Sequence, residues 1–293
     1  MNGVIVVDKP QGWTSHDVVN KMRHIAGTKK VGHLGTLDPA ATGVLPLLLN
    51  RATRLAQFFT GNDKIYEGVI RFGWSTDTYD AEGEATSPQT EVSVDRERLE
   101  QILDAFRGTI LQTPPPVSAK KIGGRPAYEL ARKHIEVELK PVAVTVHALE
   151  IQWVKDAEAG VRVHCGAGTY LRSIAHDAGK ALGCGAHLKS LRRLQSGPFR
   201  IEQAQSLETL AQLAAEERLN EALIPALELL PEYPNEIVDQ LTESQIRQGR
   251  DFRVSPFRAR EGVKLVKAVS RSGELIAIGQ AVLPNVYHPI LVL

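Results

Sequence analysis

Apolar and polar positions along this chain follow two periods, and the switches between them predict its elements. Val4 to Val7 are four consecutive apolar residues, far short of a membrane span and suited to a buried strand, not a signal peptide. Thr14-Ser15-His16-Asp17 then reads as a helix start, leading into Val18, Val19, Met22 and Ile25 at helical spacing. Ser15 or Asp17 in that setting has a structural role. Ile65 to Phe72 alternates loosely, as a half-buried strand does. Val94 to Phe106 returns to the helical period, with Leu99, Ile102, Leu103 and Phe106 on one face.

Residues 113–126 are rich in Pro, Gly and Lys and predict a long loop without regular structure. Such loops inside compact domains usually serve function. Strands over 141–154 and 160–165 precede a helix at 170–182 and an acidic helix at 206–222. Pro225, Pro231 and Pro234 mark a domain boundary. Beyond it, apolar runs at 263–269, 274–282 and 290–293 suit a small β-rich module. The expected division is therefore a large domain over 1–232 and a small one over 233–293.

Composition changes little in this picture. At 293 residues, with 43% hydrophobic and 24% charged content, the chain reads as soluble and globular, long for one core. The two cysteines, Cys165 and Cys184, imply neither a disulfide framework nor a metal cluster, so buried thiols in a reducing cytoplasm are expected. A net charge of +1 speaks against a nucleic-acid partner until its distribution is read. Residues 1–60 hold seven Lys/Arg against three Asp/Glu, whereas 61–110 hold five against eleven. Lys189, Arg192, Arg193 and Arg200 then stand without an acid between 187 and 200. Blocks of this kind permit a local phosphate-tracking face, and they equally describe many solvated surfaces.

The candidate chemistry centres on Gly32-His33-Leu34-Gly35-Thr36-Leu37-Asp38-Pro39. One carboxylate, Asp38, sits among small, backbone-permissive residues with a proline fixing φ just after it. Turn chemistry alone would make this a surface turn. Cofactor and metal motifs fail elsewhere. The zinc-deaminase pattern is missing, and Gly27-x-x-x-x-Gly32 is followed by His33 where a phosphate loop needs lysine. Gly166-x-Gly168 has Leu171 in place of the third glycine of a dinucleotide fingerprint.

Several blocks in register lend that loop its meaning. Val7-Asp8-Lys9-Pro10-Gln11-Gly12-Trp13-Thr14-Ser15, followed by the Asp38 loop, resembles the opening of the TruB-type tRNA pseudouridine synthases. Lys64-Ile65-Tyr66-Glu67, Thr76-Asp77-Thr78-Tyr79-Asp80, Pro115-Pro116-Val117-Ser118-Ala119-Lys120-Lys121 and Ala127-Tyr128-Glu129-Leu130-Ala131-Arg132 follow in the family's order. Gly168-Thr169-Tyr170-Leu171-Arg172-Ser173 and Leu191-Arg192-Arg193 complete the series. The resemblance covers essentially the whole chain. It implies an α+β pseudouridine-synthase fold, a mixed and mostly antiparallel sheet flanked by helices, with a C-terminal β-rich PUA module that binds RNA.

The same resemblance implies conversion of uridine 55 in the T arm of tRNA to pseudouridine, without metal or organic cofactor, in the cytoplasm. It assigns Asp38 as the catalytic carboxylate, with nucleophile and general base both open. Arg172 becomes its charge partner, and Tyr66 an aromatic face for the flipped base. His33 is expected to fill the space the base leaves. Leu191 lines the base pocket, and Tyr170 and Arg193 belong to the substrate-binding set. Lys120 and Lys121, with Arg125, Arg132 and Lys133, grip phosphates from the loop at 113–140. Lys9 contacts RNA or braces the site loop, and Asp80 holds the nucleotide or the loop. The expected partner is tRNA, with its acceptor end on the C-terminal module and no obligate protein partner. A guide-RNA-dependent dyskerin-like enzyme and a non-catalytic tRNA chaperone are the alternatives.

Overall fold

The computed structural model describes residues 1–117, 121–122, 125–126, 139–254 and 264–293. Lys120, Gly123-Gly124, the block at 127–132 and Lys133 therefore lie outside the described residues. In chain order the elements begin with β1 (Gly3–Lys9), α1 (Ser15–Ile25), β2 (Val31–His33), β3 (Thr42–Leu49), β4 (Lys64–Phe72), α2 (Arg96–Asp104) and β5 (Gly108–Gln112). Two short strands, β6 (Lys121–Ile122) and β7 (Arg125–Pro126), precede β8 (Val142–Lys155), β9 (Glu158–Cys165), α3 (Leu171–Leu182), β10 (Ala186–Ser196) and β11 (Phe199–Arg200). Then come α4 (Leu207–Ala215), β12 (Leu223–Pro225), β13 (Asn235–Ile237), α5 (Gln240–Arg247), β14 (Phe252–Arg253), β15 (Leu265–Val269), β16 (Leu275–Leu283) and β17 (Val286–Val292).

The large sheet runs β12-β1-β3-β10-β4-β9-β8-β5, with β2 on β3 and β11 on β10. Its pairs are antiparallel except β3 with β10. The mixed, mostly antiparallel sheet expected above is what forms. Alternation explains why β1 reads as unbroken apolar residues. Ile5 and Val7 join the core beneath the helices, where Val18, Met22, Leu99, Ile174 and Leu210 pack. Val4 and Val6 point to the other face, into a second core with Leu48, Phe199 and Leu229. A strand covered on both faces has no polar side to show.

A five-stranded sheet, β13-β15-β16-β17-β14, closes the chain. It does not stand apart. Leu275, Ile278, Leu291 and Leu293 belong to the same core as Val4 and Val6. Buried Lys267 donates to the carbonyls of Leu227 and Leu229 at 2.8 and 3.3 Å, and so ties β15 to the proline-rich connection.

Three expectations are corrected in detail. The loop expected over 113–126 contains the β6/β7 ladder, with Lys121 opposite Pro126 and Ile122 opposite Arg125. The acidic helix stops at Ala215 because Glu217 turns left-handed at φ 59°, and a short 3-10 turn occupies Leu219–Ala222. The α2 helix ends at Asp104, so Phe106 packs on the core from beyond it.

The parallel contact of β3 with β10 depends on one glycine. Gly43 pairs with Arg193 at φ 98°, and a Cβ there would lie 2.2 Å from the Arg193 carbonyl oxygen. Backbone cannot yield as a side-chain tip can. Gly43→Ala is therefore expected to lower stability by more than the roughly 1–3 kcal/mol that a strained φ costs alone. Chemical denaturation with a shifted midpoint and unchanged slope would confirm it; a midpoint within error of the parent would refute it.

Candidate active site

Four buried side chains fix the loop between β2 and β3 that carries Asp38. Ser15, first residue of α1, donates from Oγ to the Leu37 carbonyl at 3.1 Å and accepts from the Leu37 amide at 2.8 Å. Its neighbour Thr14 is the helix cap, in a reciprocal capping box with Asp17. Lys9, fully buried, donates from Nζ to the carbonyls of Pro10 at 2.9 Å and Pro39 at 3.1 Å, and to that of Trp13. Burial pulls its ammonium down to about 8, against the opposing pull of Asp38. Arg193, 1% exposed, donates Nε to Val44 O at 2.7 Å and Nη2 to Gly35 O at 3.0 Å. Leu37 itself is the fourth anchor, 4% exposed in the main core.

Removing the Ser15 hydroxyl would orphan a buried amide and a buried carbonyl together. Ser15→Ala is expected to cost about 1–3 kcal/mol, read as a lowered denaturation midpoint. A midpoint equal to the parent's would mean the loop is held without Ser15.

The carboxylate so presented lies beside one guanidinium. Arg172, second residue of α3, places Nε 3.0 Å from Asp38 Oδ2, with its side chain 6% exposed and that of Asp38 40%. The contact is a charge pair, since Nε–H makes no aligned hydrogen bond. The same guanidinium donates Nη1 to Thr78 O at 3.1 Å and reaches Asp80 Oδ2 at 3.4 Å. Asp80 is held in turn: its Oδ1 accepts from the Thr78 hydroxyl at 2.6 Å and the Glu82 amide at 3.1 Å. One cation thus serves two carboxylates. Asp38 sits in a cleft, packed by protein on most sides and open on one. Desolvation raises its proton affinity most, Arg172 opposes that, Asp80 adds to it, and Lys9 opposes it.

Above Asp38 opens a cavity of about 270 Å³ lined by Leu37, Asp38, Lys64, Tyr66, Gly166 to Arg172, Leu191 and Arg193, among others. Tyr66 comes from β4, opposite Arg193 on one side and Val163 on the other. Its phenol is held neutral mainly by burial, with the Arg193 cation opposing the shift. Tyr170 caps α3 and is clamped by the buried Gln112 side chain, which accepts from its amide at 2.8 Å and donates to its carbonyl at 3.0 Å.

The structure therefore gathers Asp38, Tyr66, Arg172, Tyr170, Leu191 and Arg193 around one cavity, with Asp80 behind Arg172. Lys9 spends its ammonium on loop carbonyls, Arg193 divides its guanidinium among carbonyls of the loop and of β3 and the Tyr66 phenol, and both present little to solvent. His33 ends β2 outside the cavity lining, its Nδ1 buried without a partner. Lys121 lies in β6, and Lys120 is outside the described residues. Gln112 and Thr78 also brace the site, the first through Tyr170 and the second through Arg172. Nothing in sequence marks Gln112, whereas Thr78 lies inside the quoted Thr-Asp-Thr block.

Residues 23–171 match the family described as TruB family pseudouridylate synthase (N terminal domain), and 172–230 match the tRNA pseudouridylate synthase B C-terminal domain. The chain belongs to the TruB family of pseudouridine synthases. It is 61% identical over 293 residues, all of both chains, to the tRNA pseudouridine synthase B of Solibacter usitatus. Its identity to that of Aquifex aeolicus is 41% over 282 residues, 96% of each. Among solved structures, an H/ACA ribonucleoprotein bound to a substrate RNA containing 2′-deoxyuridine is 26% identical with a TM-score of 0.70, covering 99% of this chain and 84% of that one. Among the described residues, no helix is long and apolar enough to cross a membrane.

Proposed function

We propose that this TruB-family synthase acts on tRNA, isomerising uridine 55 of the T arm, with Asp38 as the reacting carboxylate. The observation that carries the reading is the carboxylate held against Arg172 at the floor of a cavity walled by Tyr66 and Leu191. The names of the full-length relatives support tRNA as substrate. In the reaction the C1′–N1 bond breaks, the base turns, and a C1′–C5 bond forms while the C5 proton leaves and N1 gains one. Nothing is oxidised or consumed. An ionised carboxylate can attack the nucleoside or accept a proton, and Asp38 is the one placed to do either.

Tyr66 offers a stacking face to the uracil, a contact worth about 1–3 kcal/mol. The uridine must first leave its stack, at a cost of a few kcal/mol that contacts outside the cavity offset. A groove of about 540 Å³ lined by Gln11, Thr42, Glu67, Trp153, Ser190, Leu191 and Arg192 is suited to that. Leu191 borders both spaces, so an RNA strand in the groove leads its flipped base to Asp38. His33 then fills the gap in the stack, and Lys120 and Lys121 grip phosphates. In this reading residues 1–232 form the catalytic domain and 233–293 a PUA-like module that holds the acceptor end. The protein works in the cytoplasm without a protein partner.

Likeness to the H/ACA assembly favours one second reading, guide-dependent action. A synthetic T-arm stem-loop, incubated with the protein alone, separates the two. Pseudouridine at the position equivalent to 55 is the expected product. Product only on addition of a guide RNA would replace the first reading with the second. Product at another uridine would overturn the site specificity.

A further inference from the structure

We propose that Asp63, His147 and His164 form a binding site for one divalent transition-metal ion of the zinc class. Three segments meet there. Asp63 immediately precedes β4, and its carbonyl accepts from the Gly197 amide at 2.8 Å, which fixes its backbone. His164 lies within β9, opposite Ile65 of β4. His147 is the residue skipped in the β8/β9 ladder, where pairing jumps from Val146–Cys165 to Ala148–His164. A bulge of this kind re-aims a side chain, and here it turns His147 toward His164.

The ligand geometry follows. His147 Nε2 and His164 Nε2 lie 3.2 and 3.5 Å from the same oxygen, Asp63 Oδ2. The three ligand atoms are all within 4.8 Å of one another. Bonds of about 2.0–2.1 Å in a tetrahedral array set neighbouring ligands about 3.3 Å apart. The two observed edges bracket that spacing. Two imidazoles and a carboxylate select zinc-class ions over calcium or magnesium, which favour oxygen alone. With side chains 39–49% exposed, the ion has an entry path and a fourth position for water.

The backbone of the site is already ordered by its ladders, so binding would freeze only side chains. Asp63 adjoins Lys64, which lines the Asp38 cavity. A bound ion would therefore pin β4, β8 and β9 together at the cavity's edge without touching the reacting atoms. A hydrogen-bonded cluster with Asp63 accepting from both rings would use the same convergence, and metal titration separates the two.

Titrating the full chain with Co²⁺, followed by its visible absorption and then by Zn²⁺ competition, tests the site. One equivalent is expected to bind and be displaced by Zn²⁺. His147→Ala and His164→Ala should each weaken it by at least about tenfold. Zn²⁺ should raise the Tm of the parent and leave that of the variants unmoved. His147→Gln serves if the alanine variant does not fold. No one-equivalent complex in the parent, or undiminished binding in the histidine variants, would overturn the proposal.

Discussion

Asp38→Asn is expected to abolish pseudouridine formation and to leave the protein at least as stable as the parent. Loss of a general base alone would lower turnover by about 10²–10⁴-fold. Loss of a covalent nucleophile reaches about 10⁶-fold in a hydrolase, so the depth of the loss helps assign the role. The stability half follows from the sign of the proton affinity. Folding raises the Asp38 pKa above its ordinary 3.8, chiefly through desolvation. Below 3.8 the carboxyl is neutral in both states and costs nothing. As pH rises from there through the folded value, the folded protein retains a proton the unfolded chain releases. Stability declines across that window and stays reduced above it. Asparagine removes the penalty, so its thermal midpoint should equal or exceed the parent's at neutral pH, with the gap closing in acid. Turnover near the parent's would remove Asp38 from the chemistry, and a midpoint several degrees lower would mean its charge is stabilised.

Much of the fold is legible in sequence wherever burial is one-sided. The α1 helix shows its cap and stripe, and β4 alternates, because each presents one face to core and one to solvent. The β3 and β10 strands escape that logic. Pro46 and Gly43 interrupt β3, which is buried on both faces. Along β10, bulges after Leu188 and Arg193 shift the alternation, and buried His187 and Arg193 put polar residues on the inward side. The site divides the same way. Asp38, Tyr66 and Arg172 are far apart in sequence, and only family resemblance could join them. Arg193 looks like a phosphate ligand in a basic run, yet the parallel pairing at Gly43 places its guanidinium under the Asp38 loop, facing carbonyls. Cations read from sequence carry no sign of which way a strand will turn them.

Arg172 carries the second large expectation, and its neighbours set the sign. Arg172→Ala would leave Asp38 and the buried Asp80 without their common cation, and breaking a buried pair this way costs about 3–5 kcal/mol. Asp38 would also lose the strongest influence opposing its protonation. The acid limb of kcat/KM against pH should move upward, and neutral-pH turnover should fall. Arg172→Lys keeps the charge, but one ammonium cannot reach Asp38, Asp80 and the Thr78 carbonyl as the planar fork does. It should fold with a smaller penalty yet lose about 10²-fold in turnover, the scale of a misplaced reacting group. Parent-like turnover of Arg172→Lys would exclude Arg172 from the site. Asp80→Asn supplies the opposing control. Its charge raises the Asp38 proton affinity, so removing it should move the acid limb downward even if turnover drops. A limb that moves the same way in Arg172→Ala and Asp80→Asn would mean that Asp38 is not the group whose ionisation limits the reaction.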